Sequence, residues 1–286
     1  MLADAILSEA YRFARNRMAV FWTVLFVPIL FLVFGTLVAL FTKARMAEIA
    51  SQMPQVDLDV GGPVNLGLSL VKSAADFANP IVLLFVLIGV ATLYAGDYRW
   101  ETWRLTSARN TRANLLLGKV GVVKVVILLA LAVWLIGGLA GDVIKAAMLA
   151  RPVTFSMDGG DAAQFLGFSV LMWLRVIQFT MIGLLAAVVT RSLLAALFVP
   201  LVVAIGQFFL MQALPILGLE PGDWLSQLML PGLAADTLKA LIEGGPTGAS
   251  IPDGVGIKAV VSLVVWTVGP LAASIALFQR QDLSKE

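Results

Sequence analysis

The sequence predicts an all-α integral membrane protein with six transmembrane helices. Of its 286 residues, 60% are hydrophobic and only 13% are charged. Soluble domains average about 45–50% apolar and about 25% charged residues. The mean hydropathy of +0.94 agrees with this reading. So few charges cannot cover the surface of a water-soluble globule, which excludes a soluble enzyme, a nucleic-acid-binding module and a disordered chain.

Six apolar runs are long enough to cross a bilayer, which takes about 20 residues. We expect a single transmembrane domain over residues 1–286, with a very short turn at Arg191 between the fourth and fifth spans. An even number of spans places both termini on one side. The expected spans are 18–42, 77–96, 120–141, 164–190, 192–217 and 258–279.

Charge distribution predicts which side faces the cytoplasm. Basic residues concentrate on the side that holds both termini, and acidic residues concentrate on the other, so the positive-inside rule makes the first side cytoplasmic. The basic residues of that side are Arg12, Arg15, Arg17, Arg99, Arg104, Arg109, Arg112, Lys119, Arg191, Arg280 and Lys285.

Residues 1–17 are expected to form an amphipathic helix that lies flat in the cytoplasmic headgroup layer. Its apolar and polar residues recur at helical spacing on opposite faces. The apolar face holds Leu2, Ile6, Ala10 and Phe13, and the polar face holds Asp4, Ser8, Arg12 and Arg15. The alternative is an ordinary positively charged flank. Near the other end of the chain, Pro231 separates two short apolar stretches that predict a re-entrant pair of helices before the last span.

The cytoplasmic loop over residues 97–119 is the most informative segment. Asp97, Glu101 and Arg104 share one helical face and can form local ion pairs. Trp100 and Trp103 lie one turn apart, as suits a membrane interface or a protein groove. The alternative is a plain positive-inside loop with interfacial tryptophans.

The order of these features resembles the ABC-2 type permease family, the membrane subunits of ATP-binding-cassette exporters. The loop residues that match are Asp97, Thr102, Arg112 and Leu117-Gly118-Lys119. The C-terminal Phe278-Gln-Arg-Gln-Asp-Leu283 is similar to the closing motif of the family. Glu101 and Arg109 depart from it, since glycine and proline are usual there.

The resemblance implies a type V ABC exporter-like fold, with 97–119 as the coupling loop that docks on a separate ATPase. The implied coupling residues are Asp97, Trp100, Glu101, Thr102, Trp103, Arg104, Arg109 and Arg112. It further implies a homodimer of permease chains with two ATPase copies, in the cytoplasmic membrane of a bacterium. ATP and Mg²⁺ would be bound by the ATPase, and no nucleic acid is involved.

Catalytic chemistry is not expected in this chain itself. Histidine and cysteine are both absent, which excludes disulfides, imidazole or thiolate metal sites and His-dependent nucleophiles. No P-loop is present, because Gly118-Lys119 is followed by Val120 and lacks the upstream glycine. We therefore expect no cofactor and no metal in this chain, and ATP hydrolysis only in a complex with its partner.

Arg175 lies inside the fourth span, where a charge costs at least about 2.5–3.5 kcal/mol on insertion scales. Gln178 follows on the same face, and Gln207 in the fifth span is a candidate partner across the hairpin. These three residues either tie the spans together or line a path for a polar or anionic substrate.

Two other functions remain open on the sequence alone. A membrane scaffold or assembly protein needs no transport path. A carrier unrelated to ABC transporters usually keeps intramembrane acids and paired repeats, which we do not find. A membrane-embedded enzyme is disfavoured in the same way, since no acid falls inside a predicted span. The sequence does not indicate a substrate.

Overall fold

A computed structural model describes residues 2–52, 62–99, 103, 110–244 and 252–281 of the chain. The described part is almost entirely helical. Its helices are α1 (Leu2–Arg15), α2 (Arg17–Val20), α3 (Phe26–Gln52), α4 (Leu66–Ala75), α5 (Pro80–Arg99), α6 (Arg112–Met148), α7 (Gly159–Thr190), α8 (Leu193–Ala213), α9 (Trp224–Met229), α10 (Pro231–Ile242) and α11 (Val255–Arg280). A π-helical turn over Phe21–Leu25 joins α2 to α3.

Six helices in the described part are long and apolar enough to cross a membrane, as predicted, so the chain is a multi-pass membrane protein. They span Arg17–Arg45, Pro80–Tyr98, Arg112–Met148, Gly159–Thr190, Leu193–Ala213 and Val255–Arg280. The orientation of these helices in the membrane stays a prediction.

Three of these helices differ from the predicted span boundaries by more than three residues. The fourth begins at Gly159, not at residue 164. The third helix begins at Arg112, not at residue 120, and its 37 residues reach about 55 Å at 1.5 Å per residue. This exceeds a hydrocarbon core of about 30 Å, so charged residues near its ends belong to the helix without lying in the core. The fifth helix ends at Ala213, before the predicted 217.

The core of the bundle is formed mainly by α5 and α7, and the other spans surround them. Leu87 and Val90 on α5 are buried, as are Ile177 and Leu184 on α7. The outer helices instead expose large apolar side chains, such as Phe34 on α3. An apolar outer surface suits contact with lipid chains.

The N-terminal helix α1 packs directly against α6, with Ala5, Glu9 and Phe13 on its buried face. A Cβ atom added to Gly118 would lie 2.9 Å from the Cβ of Ala5, so only glycine allows this approach. The buried face therefore differs from the predicted apolar face, because Leu2 is exposed and the acidic Glu9 is turned inward.

The opposite end of the bundle is formed by connecting segments. Strands β1 (Val64–Asn65) and β2 (Val153–Thr154) pair in parallel, and Arg151 donates a hydrogen bond from Nε to the Gly62 carbonyl at 2.7 Å. The predicted pair of short helices before the last span is present as α9 and α10, and its depth in the membrane stays a prediction.

Replacing Gly118 with valine will displace α1 from α6, because the new side chain collides with Ala5. Overpacking of this kind costs about 1–3 kcal/mol. We expect a lower unfolding midpoint in detergent and faster proteolysis of α1. Gly141→Val is the matched control, since a Cβ there meets nothing within 4 Å. Equal effects of the two substitutions would contradict the close packing of α1 on α6.

Candidate functional site

Lys119 is the buried centre of the site. It lies on the first turns of α6, and its side chain is only 1% exposed. Its ammonium contacts Asp97 Oδ2 at 2.5 Å, the Leu93 carbonyl at 2.8 Å and Glu9 Oε2 at 3.3 Å. A lysine ammonium has three N–H donors, and three acceptors surround this one.

Arg12 closes the group of charges around Lys119. Its guanidinium donates from Nη2 to Asp97 Oδ1 at 2.7 Å and from Nη1 to Glu9 Oε1 at 2.9 Å. Burial opposes the charged form, but Asp97 and Glu9 outweigh it and raise the pKa of Arg12. Glu9, Arg12, Asp97 and Lys119 form the charge cluster, in which two cations balance two anions.

The charge cluster joins three helices that are distant in sequence. Glu9 and Arg12 lie on α1, Asp97 ends the second span, and Lys119 lies on α6. Removing a charge from water costs several kcal/mol per ion, which is recovered only when geometry and hydrogen bonds are complete. The three helices are therefore held in one arrangement, because separating them would leave a buried charge without its partner.

Trp103 connects the charge cluster to the last helix. Its indole is 3% exposed, and Lys119 Nζ lies 5.2 Å from its ring centroid, within cation–π range. The ring centroids of Trp103 and Phe278 are 4.5 Å apart, and those of Tyr98 and Trp103 are 5.6 Å apart. Tyr98, Trp103 and Phe278 form the aromatic cluster, which couples the 97–119 loop to α11.

Arg112 binds the C-terminal end of α11. Its Nη1 donates to the carbonyls of Phe278 at 3.2 Å and Gln279 at 3.1 Å, and also to that of Gln281. Cations stabilise helix C-termini by satisfying free carbonyls and by interacting with the helix dipole. The first residue of α6 thus fixes the last turn of α11.

The structure brings together three of the predicted coupling residues. Asp97, Trp103 and Arg112 lie in one assembly at one end of the bundle. Trp103 was predicted to suit an interface or a protein groove, and it is instead buried within this chain. It is placed to position the loop. The remaining predicted coupling residues, Trp100, Glu101, Thr102, Arg104 and Arg109, lie outside the described residues.

Sequence reasoning missed the roles of Glu9 and Lys119. Lys119 is a charged residue in an otherwise apolar stretch of α6, and such residues usually have a partner. Glu9 precedes Arg12 by one helical turn, which is a weak signal of a local ion pair. Neither signal identifies Asp97 as the shared partner.

Arg175 and Gln207 both hydrogen-bond to the backbone at the start of α10 and not to each other. Arg175 Nη1 donates to the Pro231 carbonyl at 3.0 Å, and Gly232 N donates to Gln207 Oε1 at 2.9 Å. The buried amide of Gln178 has no hydrogen-bond partner in the part of the chain that is described. Two of the three predicted path residues therefore converge on the junction between α9 and α10.

A cavity of about 1030 Å³ opens between α3, α4 and α6, at the end of the bundle opposite the charge cluster. Its wall includes Phe31, Trp134 and the paired glycines Gly137 and Gly138. Arg175, Gln178 and Gln207 do not line it. The predicted path residues and this cavity are therefore separate features.

Comparisons of the chain with protein-family models, curated proteins and solved structures gave no match.

Removing one partner of the buried pair will destabilise the protein more than removing both. We expect Asp97→Asn or Lys119→Met to cost about 3–5 kcal/mol, because each leaves a buried charge uncompensated. The double variant keeps the Glu9–Arg12 pair and should cost less than the sum of the singles. Chemical unfolding in detergent measures this coupling free energy.

The control cycle uses the same residue types, both on α6. Asp142 and Lys145 form a partly exposed ion pair at 3.3 Å. Pairs of this kind are worth at most about 1 kcal/mol, so Asp142→Asn and Lys145→Met should show little coupling. A coupling at Asp97–Lys119 that is no larger than this control would contradict a structural role for the buried pair.

Proposed function

We propose that this chain is the permease subunit of an ABC transporter of the ABC-2 type, most simply an exporter. Two such chains would pair in the membrane and bind two copies of a separate ATPase. The ATPase would hold ATP and Mg²⁺, and its closing motion would move substrate past the permease chains.

The observation that carries this proposal is the position of Trp103 between the charge cluster and α11. Through Lys119 the loop is connected to α1, α5 and α6, and through Phe278 it is connected to α11. A partner that pushes on the 97–119 loop would therefore displace four helices together. Such coupling is what a transporter driven by an external ATPase needs.

The resemblance of the loop to ABC-2 permeases supports the same proposal. The contacts of Asp97, which is buried, and of Arg112, which is half-buried, give two of the matching residues a physical reason to be present. Because no P-loop pattern occurs in these 286 residues, the proposed transporter takes its energy from an ATPase outside them.

The natural chain has no cysteine. The proposed orientation predicts that two engineered cysteines will be accessible from opposite sides of the membrane. Tyr11→Cys lies on the exposed face of α1, and Ser156→Cys lies on an exposed loop at the other end. In intact bacteria, a membrane-impermeant maleimide should label Ser156→Cys and should label Tyr11→Cys only after lysis. The reverse pattern would contradict a cytoplasmic 97–119 loop.

Co-purification in mild detergent tests whether the proposed ATPase subunit binds this chain. Tagged wild-type protein should recover a nucleotide-binding subunit with vanadate-sensitive ATP hydrolysis. Arg104→Glu should lower recovery at least about tenfold, since charged anchors of an interface cost about 2 kcal/mol or more when lost. The control is Lys72→Glu, an equal charge reversal on an exposed residue of α4 at the opposite end.

Two results would count against the permease proposal. Wild-type protein that recovers no nucleotide-binding subunit would leave the loop without the partner it requires. Equal losses for Arg104→Glu and Lys72→Glu would show that binding does not occur at the 97–119 loop.

A further inference from the structure

The cavity of about 1030 Å³ lies where the first and second spans stop packing on each other. Nearer the charge cluster these spans are joined by aromatic rings. The ring centroids of Phe26 and Phe85 are 4.4 Å apart, and those of Trp22 and Phe85 are 5.5 Å apart and stacked. Beyond these rings, Phe31 on α3 and Ile81 on α5 both line the cavity. The cavity is therefore a gap between two spans that is closed at its inner end.

Helix α6 forms the back of this gap, and α4 forms one side. Trp134 on α6 packs against Phe31, with ring centroids 5.1 Å apart, and its indole donates to the Ser73 carbonyl of α4 at 2.8 Å. Gly137 lets α3 approach α6, because a Cβ atom there would lie 3.0 Å from Pro28 Cβ. These contacts fix α3 and α4 against α6, so the walls of the cavity are held apart by the fold itself.

The cavity has room for a ligand and an apolar lining. Phe31 on α3, Leu68 on α4 and Ile81 on α5 all line it, and all three are exposed. Ligand cavities in proteins are typically about 300–1,000 Å³, so this one is large enough for a long molecule. Exposed apolar side chains on three walls favour a hydrocarbon chain as the occupant.

The cavity lies in one half of the bilayer. Asp97 ends the second span, and at 1.5 Å per residue Phe85 is about 18 Å and Ile81 about 24 Å from it along α5. A hydrocarbon core of about 30 Å has its midplane at about 15 Å. With the charge cluster at one membrane surface, both residues belong to the opposite leaflet. An acyl chain of that leaflet enters the cavity with its methyl end toward Phe85.

Charged residues of both signs also border the cavity. On α6, Asp142 and Lys145 lie about 12 and 16 Å farther from the charge cluster than Trp134 does, and they pair at 3.3 Å. In the described part of the chain, the charged lining residues are Lys72, Asp76, Asp142, Lys145 and Arg151. Three cations beside two anions suit polar headgroups of either charge, so the cavity selects its ligand by the chain.

We propose that the cavity binds one phospholipid of the leaflet opposite the charge cluster. One acyl chain lies in the gap between α3 and α5, against Phe31, Ile81 and Trp134, and the headgroup lies toward Asp142 and Lys145. The lipid thus keeps the direction that it has in the bilayer. This site does not depend on the proposed ATPase, because every described wall of the cavity belongs to this chain.

The test is photocrosslinking of the full-length chain in vesicles of equal parts phosphatidylcholine and phosphatidylglycerol. The probe is phosphatidylcholine with a diazirine in the middle of one acyl chain, and mass spectrometry maps the labelled residues. Trp134 is only 9% exposed, whereas Phe209 on α8 is 65% exposed and reports contact with bulk lipid. Phe209 lies about 24 Å from the Leu193 end of α8, at a depth similar to that of Ile81. Wild type should label Trp134 at least as strongly as Phe209.

Two variants fill the cavity from different walls. Ile81→Trp and Leu68→Trp should each lower labelling of Trp134 at least about tenfold relative to Phe209, because the larger side chain takes the space of several methylene groups. Ile136→Trp is the matched control, since Ile136 is an exposed residue of α6 outside the described lining of the cavity. It should label as wild type does, and all three variants should keep the wild-type unfolding midpoint.

Two further probes distinguish the source of the chain and the role of the head. Added palmitate should lower labelling of Trp134 and Phe209 in equal proportion, because it only dilutes the probe. A loss confined to Trp134 would show that the site takes a free fatty acid and would overturn the proposal. A diazirine phosphatidylglycerol should give the same labelling ratio as the phosphatidylcholine probe, and a different ratio would contradict selection by the chain.

Three other results would overturn the proposal. They are labelling of Trp134 well below that of Phe209 in wild type, wild-type labelling in both Ile81→Trp and Leu68→Trp, and an equal loss in Ile136→Trp. All are read on this chain alone, so they are distinct from a failure of ATPase co-purification.

Discussion

The ammonium of Lys119 sets the arrangement of one whole end of this protein. It is buried among apolar helices, and its three acceptors come from α1 and α5. Because an uncompensated buried charge costs about 3–5 kcal/mol, α1 cannot leave the bundle without a large penalty. The helix α1 is thereby fixed against the bundle of spanning helices, and Trp103 is held against Lys119 on α6.

Polar contacts have this role because the hydrophobic effect is weak between helices in lipid. Lipid chains are as apolar as leucine, so packing and hydrogen bonds decide which helices associate. The chain uses polar joints at two places where a non-spanning segment meets the spans. The charge cluster joins α1 to α5 and α6. Arg175 on α7 and Gln207 on α8 hold the junction between α9 and α10. In the proposed transporter, the first joint receives the motion of the ATPase.

The number and approximate positions of the spans could be predicted because length and lack of charge are local properties of the sequence. The apolar run of α6 does not show how far the helix extends beyond a membrane crossing, but Thr111, whose side chain caps it, is of a residue type favoured at helix N-termini. The pairing of residues in the charge cluster could not be predicted either. Its partners are separated by 85 residues for Arg12–Asp97 and 110 for Glu9–Lys119, and no local spacing encodes such pairs. The burial of Trp103 was missed because an aromatic residue in a loop packs equally well on lipid, on a partner or on its own bundle.

Hydrogen–deuterium exchange of α1 tests most directly whether Lys119 holds this end of the protein together. In wild type, the amides around Glu9 should exchange about as slowly as those of the neighbouring spans. In Lys119→Met they should exchange at least about tenfold faster, since about 1.4 kcal/mol corresponds to a factor of ten, while α8 stays unchanged. Equal exchange of α1 in the two proteins would contradict a central role for the buried ammonium.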